Sequence, residues 1–352
     1  HPHCDAGESP GRGASTTLAA QILQSEKSLR AASAIPVKLK CTMKKMTVRL
    51  VFVRFFAAAA LSAAAAIASV AAAQGPNLLS QAALIVDART GDPIFAKNAN
   101  NVTPIASITK LMTAMVVLDA QQNLDQTLTV DLDDLDFLKA SRSRLSIGSE
   151  LTRREMLRLA LMSSENRAAS SLGRFYPGGL SAAVAAMNAK AKSLGMLNTR
   201  YVDTTGLSPE NVSTARDLAV MVQAAQRYPL IREFSTQPEE YVQIPATGKT
   251  LHFNNSNALI KSGGWDISLQ KTGFIREAGR CVVMLAQIAQ RPVVLVLLDS
   301  VGKFSRIGDA QRVKTWIETG EVLAIPKPQA ARKGAKAGKN KAGKAVSKKK
   351  RR

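Results

Sequence analysis

Between positions 75 and 325 the chain alternates apolar and polar residues in short runs near both ends and repeats them at helical spacing in the middle. Ala82–Asp87 and Pro93–Lys97 read as two strands around Arg89-Thr90-Gly91-Asp92, an N-terminal hairpin. Ile105–Leu118 has helical periodicity, and so does Thr152–Met162, opened by the capping box Thr152-x-x-Glu155. Further helices are expected from about Leu180 to Leu194 and from a Ser213 cap to about Arg227. Strand signals return at Leu269–Phe274, Cys281–Ile288 and Val293–Leu298, and Ala310–Glu318 reads as a closing helix. Strands at both ends around a helical centre predict an α+β fold. Its antiparallel sheet is formed by N- and C-terminal strands, with a mainly helical lobe at about 105–240 inserted and a cleft between the lobes.

The flanks differ from this body. From Met43, the positive residues Lys44, Lys45, Arg49 and Arg54 precede an apolar run, Phe55–Val70, and then Ala71-Ala72-Ala73. That order predicts a signal peptide at 43–73 and an exported protein, located in the periplasm or on the cell wall. A membrane anchor is the alternative, but the run is short for the roughly 20 residues a spanning helix needs. Residues 1–42 carry no periodic pattern and read as an unstructured upstream extension, with translation starting at Met43 or Met46. The domain expected to fold is 77–325, and the Lys/Ala/Gly-rich stretch 326–352 lacks the apolar residues to bury a core.

Charge follows the same division. The net charge of +22 suggests nucleic-acid binding until it is apportioned: residues 74–326 hold 27 basic against 23 acidic residues, while 327–352 hold 12 basic and none acidic. Basicity therefore belongs to the ends. The tail is expected either to be a solvated extension or to attach to an anionic wall polymer or membrane surface; a nucleic-acid partner is not expected for an exported chain.

Several chemistries are weakened by residue counts. Cys4 and Cys41 precede the leader, so only Cys281 remains after it, which excludes an intramolecular disulfide; within Arg280–Leu285 it reads as core. After the leader the chain retains one histidine, His252, between Leu251 and Phe253, where a structural role is expected. A Ser-His-Asp triad is therefore weakly supported, and one histidine with one cysteine does not make a zinc site without carboxylates. No metal and no cofactor are expected. Gly248-Lys249-Thr250 imitates the end of a phosphate-binding loop, but Gln243 stands where its first glycine belongs.

A nucleophilic serine can instead use lysine as its base. In Ser107-Ile108-Thr109-Lys110 the i, i+3 spacing puts both side chains on one helical face, with Ser107 in the first turn, where free N–H groups favour developing negative charge. The lysine must be neutral, so its pKa near 10.4 has to fall by about three units through burial and a second cation. Other SxxK matches start at Ser268, Ser300 and Ser347, so the motif alone says little. After Ser107, however, come Ser164-Glu165-Asn166 at a break between helices and Lys271-Thr272-Gly273 in an expected strand. Ser164 can relay a proton, and Asn166 offers both an amide donor and an acceptor. Lys271 and Thr272 suit a substrate carboxylate, and Gly273 lets an extended substrate lie along the strand edge. Lys271 is also the candidate for the second cation, with Lys110 and Lys271 flanking the Ser107 hydroxyl. Asp131, Asp133, Asp134 and Asp136 are expected to face solvent.

SxxK, SxN and KTG in that order form the signature set of penicillin-binding proteins and related β-lactamases. From about Gln81 to Glu318 the chain resembles the low-molecular-mass penicillin-binding proteins, D-alanyl-D-alanine carboxypeptidases and endopeptidases. Beyond the motifs, the likeness extends to Ala82–Asp87, Leu161–Ala169, Thr205–Asn211 and Gln270–Cys281. The resemblance implies a β-lactamase/transpeptidase-like fold and hydrolysis of D-alanyl peptide cross-links in peptidoglycan through an acyl-enzyme on Ser107, with β-lactams acylating the same serine. It implies Lys110 as base, Ser164 and Asn166 as proton shuttle and substrate guide, and Lys271 and Thr272 as substrate holders. The backbone N–H groups of Ser107 and Phe274 would form an oxyanion hole. Related carboxypeptidases often add a β-rich domain and an amphipathic anchor where this sequence has its lysine tail, which favours the endopeptidase reading. The alternatives are a β-lactamase, with Asp203 or Glu210 as the added carboxylate, and a non-catalytic wall- or nucleic-acid-binding protein acting through its tail.

Overall fold

In the computed structural model, residues 75–245 and 247–326 are described; the extension, the leader and the basic tail lie outside them. Strands β1 (Ser80–Asp87) and β2 (Pro93–Lys97) form the opening hairpin, followed by the short β3 (Thr103–Pro104) and a single 3-10 turn, Ala106–Ile108. Helix α1 is Thr109–Asp119. Next come β4 (Thr127–Thr129), β5 (Glu150–Thr152), α2 (Arg153–Met162), α3 (Asn166–Arg174) and α4 (Gly179–Ser193). They lead to β6 (Val212–Ser213), α5 (Ala215–Ala225), α6 (Pro229–Thr236) and a hairpin, β7 (Glu239–Ile244) with β8 (Lys249–Asn254). The chain closes with β9 (Asp266–Ile275), β10 (Gly279–Ile288), β11 (Arg291–Ser300) and α7 (Ser305–Thr319).

The main sheet runs in the order β2-β1-β11-β10-β9, all antiparallel pairs. It is therefore made by the two ends of the domain, with the helices inserted between β2 and β9 in sequence. Both faces are covered, which explains why β1 and β11 read as nearly continuous apolar runs. Leu84, Val86, Val283, Leu285, Val294 and Val296 face the helical lobe, whereas Ile85, Val282, Met284, Leu295 and Leu297 pack against Ala310 and Val313 of α7. Helix α1 is buried from Thr109 to Val117, so it is the axis of the helical lobe rather than an amphipathic surface helix.

Several expectations shift in detail. The segment expected as one helix from Ile105 begins as a 3-10 turn, because Ala106 takes a left-handed φ of 49° and the α-helix starts only at Thr109. Thr152 caps α2 with the full capping box, as the sequence indicates. The α5 cap is Thr214, not Ser213, because the Thr214 side chain accepts from Asp217 N; the Ser213 hydroxyl instead meets Thr199. Helix α3 and hairpin β7–β8 escape sequence reading: α3 is short and rich in small polar residues, and the expected phosphate-loop mimic is the hairpin turn, with Gly248 at φ 65°.

Of the aspartates expected to face solvent, Asp133 does, Asp131 and Asp136 are half-buried, and Asp134 is buried. Asp134 is 3% exposed and accepts from Ser171 Oγ at 2.7 Å and Arg174 Nη2 at 2.8 Å. Asp131 caps a 3-10 turn, and Asp136 accepts from the amides of Leu138, Lys139 and Ser141, which shapes a loop. Short carboxylates next to turns satisfy backbone donors, a use invisible in composition.

A buried cluster ties the N-terminal strand to α7. Asp309 accepts from Leu79 N at 2.9 Å, Ser80 N at 2.7 Å, Ser80 Oγ at 2.6 Å and, at 3.5 Å, Ser300 Oγ, and it pairs with Arg312. Asp309→Ala strands these donors and a largely buried guanidinium, so it should lower the unfolding free energy by about 3 kcal/mol. Urea denaturation at neutral pH measures the loss, and a change under 1 kcal/mol would show that the cluster is not a fastener.

Candidate active site

Four segments meet at the front of α1. The 3-10 turn carries Ser107, α1 carries Lys110, the α2–α3 turn carries Ser164 and Asn166, and the edge strand β9 carries Lys271 to Phe274. Together with Lys139, Ser141, Ile275–Glu277 and Arg306, most of these line an open cleft of about 910 Å³. Lys110 and Lys271 lie behind the cleft wall, 1% and 0% exposed.

Backbone shape sets Ser107. Gly206, at φ 80°, packs against the Ala106 carbonyl so closely that a Cβ there would stand 2.0 Å from its oxygen. On the opposite side, a Cβ on Gly273 would lie 2.9 Å from the Ile105 carbonyl and 3.2 Å from Ser107 N. Only glycine lets the 203–208 loop and β9 close on the serine turn.

The Lys110 ammonium is fully occupied. Its Nζ donates to Ser107 Oγ at 2.9 Å, Asn166 Oδ1 at 2.8 Å and the Thr205 carbonyl at 2.7 Å. Burial pulls its pKa down to about 7, against the carboxylates of Asp203, Glu165 and Asp136. A neutral amine keeps two N–H bonds and one lone pair; with Asn166 and Thr205 fixed as acceptors, that lone pair points to the Ser107 hydroxyl.

Lys271 has a different partner from the one expected. It donates to Ser164 Oγ at 2.9 Å and to its neighbour's carbonyl, Thr272 O, at 2.9 Å, while Lys110 alone touches Ser107. Burial first, then the charges of Lys110 and Arg306, hold its pKa well below the ordinary lysine range. The drop at Lys110 is therefore mainly a desolvation effect. Two Ser–Lys pairs stand side by side: Ser107 with Lys110 and Ser164 with Lys271.

Surrounding bonds hold these groups in place. Asn166 Nδ2 donates to Ser141 Oγ at 2.9 Å, and Thr272 Oγ1 donates to Ser256 Oγ at 2.8 Å. Ser164 adopts φ 63°, a left-handed conformation rare for serine, which turns its hydroxyl to Lys271. Asp203 accepts from the amides of Thr205 at 2.7 Å, Gly206 at 2.6 Å and Ser208 at 2.9 Å, and so builds the loop that offers the Thr205 carbonyl to Lys110.

Arg306 was missed by sequence reading. From the first turn of α7 its Nη1 reaches Gly273 O at 3.0 Å, while its buried Nε has no partner. Its only sequence signal is a charge about one turn ahead of the expected helix Ala310–Glu318. His252, by contrast, sits on the β7–β8 hairpin, stacked on Tyr241 at 4.3 Å and 3.2 Å from Glu239, and does not line the cleft. Cys281 is fully buried, and burial pushes its thiol up to about 11.

This arrangement coincides with a family match. The model of the D-alanyl-D-alanine carboxypeptidase family matches residues 67–302. The chain belongs to that family. It is 52% identical over 250 residues to a D-alanyl-D-alanine endopeptidase of Pseudomonas aeruginosa, covering 71% of this chain and 81% of that one. An endopeptidase of the same description from Escherichia coli is 50% identical over 264 residues, covering 75% and 85%. The solved Streptomyces K15 DD-transpeptidase superposes with a TM-score of 0.64 at 26% identity, covering 69% of this chain and 98% of that one. The family fold is therefore the α+β, penicillin-binding-protein type, and the chain is a serine D-alanyl-D-alanine peptidase.

With its lowered pKa, Lys110 leaves the folded chain holding fewer protons than the unfolded one between about pH 7 and 10.5. Stability should therefore rise with pH across that window, by up to about 1.4 kcal/mol per unit from this residue. Comparing the wild type with Lys110→Met by denaturation at several pH values isolates the effect. The variant should show a flatter slope, and equal slopes would mean that Lys110 titrates normally.

Proposed function

We propose that the chain hydrolyses D-alanyl peptide cross-links of peptidoglycan, endopeptidase action being favoured, with Ser107 as nucleophile and Lys110 as its base. The observation that carries the assignment of roles is the 2.9 Å contact between a fully buried lysine and the serine. Neutral Lys110 takes the hydroxyl proton as Ser107 Oγ attacks the D-alanyl carbonyl carbon. The resulting oxyanion is received by the amides of Ser107 and Phe274, which the glycine contact brings alongside each other. The C–N bond then breaks, the proton taken up by Lys110 passes to the leaving amine through Ser164, which Lys271 orients, and Lys110 is neutral again. A water hydrolyses the Ser107 ester and regenerates the hydroxyl.

Thr272 and Arg306 suit the carboxylate of the leaving residue because both line the cleft and carry hydrogen-bond donors, Arg306 with a positive charge. Asn166 bridges Lys110 and Ser141, so it can position substrate without leaving the base. β-Lactams would acylate the same serine. The β-lactamase alternative needs a carboxylate that activates the deacylating water, but Asp203 is engaged by backbone amides and Glu210 pairs with Arg200 at 3.1 Å. Neither lines the cleft.

Export to the periplasm or cell wall belongs to the same reading, supported by the charged-apolar-small order of 43–73, as does attachment of the basic tail to an anionic wall or membrane surface. A part in maintaining cell shape would follow from remodelling cross-links.

Labelled penicillin should form a long-lived adduct that Ser107→Ala abolishes; rapid turnover without an adduct would overturn the peptidase reading. The second-order rate of acylation should rise with pH around a midpoint near 7, the pKa of Lys110, and fall about tenfold per unit below it. Mass spectrometry of digested, cross-linked peptidoglycan should show dimers converted to monomers; release of free D-alanine alone would mark a carboxypeptidase instead.

A further inference from the structure

Outside the cleft a second groove, about 310 Å³, lies between the β9–β10 turn and the connection from β11 to α7. Arg276, Arg280 and Lys303 line it, with Asp299 as its one acid. None of the three cations is ion-paired among the described residues. Arg280 instead lies 4.4 Å over the Phe274 ring, and Lys303 lies 5.3 Å over the ring of Phe304. An aromatic face steadies a cation without taking up its N–H donors, which stay available to an anion. Phe274, Val301 and Phe304 are 55%, 69% and 71% exposed, so the charges stand among open apolar surface.

The groove is continuous with the active site. Phe274 and Arg276 line both it and the cleft. Arg306, in the cleft wall, donates to Gly273 O at 3.0 Å and to Cys281 O at 3.4 Å, next in sequence to Arg280. Burial first, and then the charge of Arg280, lower the pKa of Arg306, so one positive field extends from the cleft into the groove. With Thr272 and Arg306 taking the carboxylate of the leaving residue, a leaving group of a single residue ends there. In a cross-link the leaving amine belongs to a second peptide, which has to continue outward from Arg306. The groove adjoins that point through Phe274 and Arg280.

We propose that the groove lined by Arg276, Arg280 and Lys303 binds the leaving half of the cross-link, an acidic peptide, and so favours cutting between chains over release of a single D-alanine. Three cations against one carboxylate favour an anionic ligand, and the exposed rings favour one that carries methyl or methylene groups beside its charges. A peptide with free carboxylates has both. A phosphate-bearing lipid surface shares the negative charge, but the junction with the cleft favours the peptide that the reaction itself delivers there. Each contact is solvent-exposed and contributes little alone, so the preference comes from their sum.

The inference rests on the peptidase reading above, and the test separates the two. Two substrates with the same donor peptide ending in D-alanine are compared by kcat/KM with the full chain. In one the leaving peptide bears carboxylates beyond the leaving residue; in the other those carboxylates are amidated. The wild type should favour the acidic leaving peptide about tenfold, as two or three exposed charge contacts provide. Lys303→Gln should lower that ratio, and Lys303→Glu should bring it to one or below. A wild-type ratio near one would overturn the groove. So would a ratio that Lys303→Glu leaves unchanged, or a variant that slows both substrates equally, the signature of a merely structural lysine. A flat ratio together with binding to vesicles of anionic lipid that Lys303→Glu abolishes would give the groove to a membrane surface and sink the proposal. Penicillin labelling of the wild type is the control: failure to label overturns the peptidase reading itself, whereas labelling with a flat ratio overturns only the groove.

Discussion

Burial of the Lys110 amine is the constraint around which this domain is arranged. A lysine at 1% exposure must either lose its proton or find acceptors, and here it does some of both. Three acceptors from three segments surround it: the serine turn, the α2–α3 turn and the 203–208 loop. Its pKa near 7 is the balance between desolvation and the carboxylates of Asp203, Glu165 and Asp136. With those acids farther away the amine would be a weaker base; with less burial it would remain charged.

The same balance explains why so much local structure is polar and buried. Asp203 gathers the amides of its own loop, Glu165 accepts from Ser143 Oγ at 2.6 Å, and Asp136 organises the loop that brings Ser141 to Asn166. Each acid is satisfied locally by backbone or hydroxyl donors while its field still reaches Lys110. Network members of this kind set both the geometry and the charge of the site.

The sheet contributes an edge. Because β9 is the terminal strand, its free edge lies along the cleft instead of against another strand, and Thr272, Gly273 and Phe274 line that cleft. Edge strands invite unwanted pairing; here the serine turn, held within van der Waals reach of Gly273, and the Arg306 side chain cover part of it. The remaining open edge is where an extended peptide fits.

By itself the sequence determined the strand and helix periods of the sheet and most long helices, the order of the SxxK, SxN and KTG motifs, and hence the family. Those are local patterns, readable because a 2-residue or 3.6-residue repeat and a motif spacing do not depend on what lies opposite. Tertiary structure alone decided the rest. It assigned Lys271 to Ser164 and not to Ser107, took Asp134 out of solvent, and placed His252 on a surface hairpin. It also brought Arg306 into the cleft wall and Lys139 to Glu277, 138 positions away. Each of these is a contact between segments far apart in the chain, and whether a charge ends up solvated, paired or neutral is settled only by the neighbours that folding supplies.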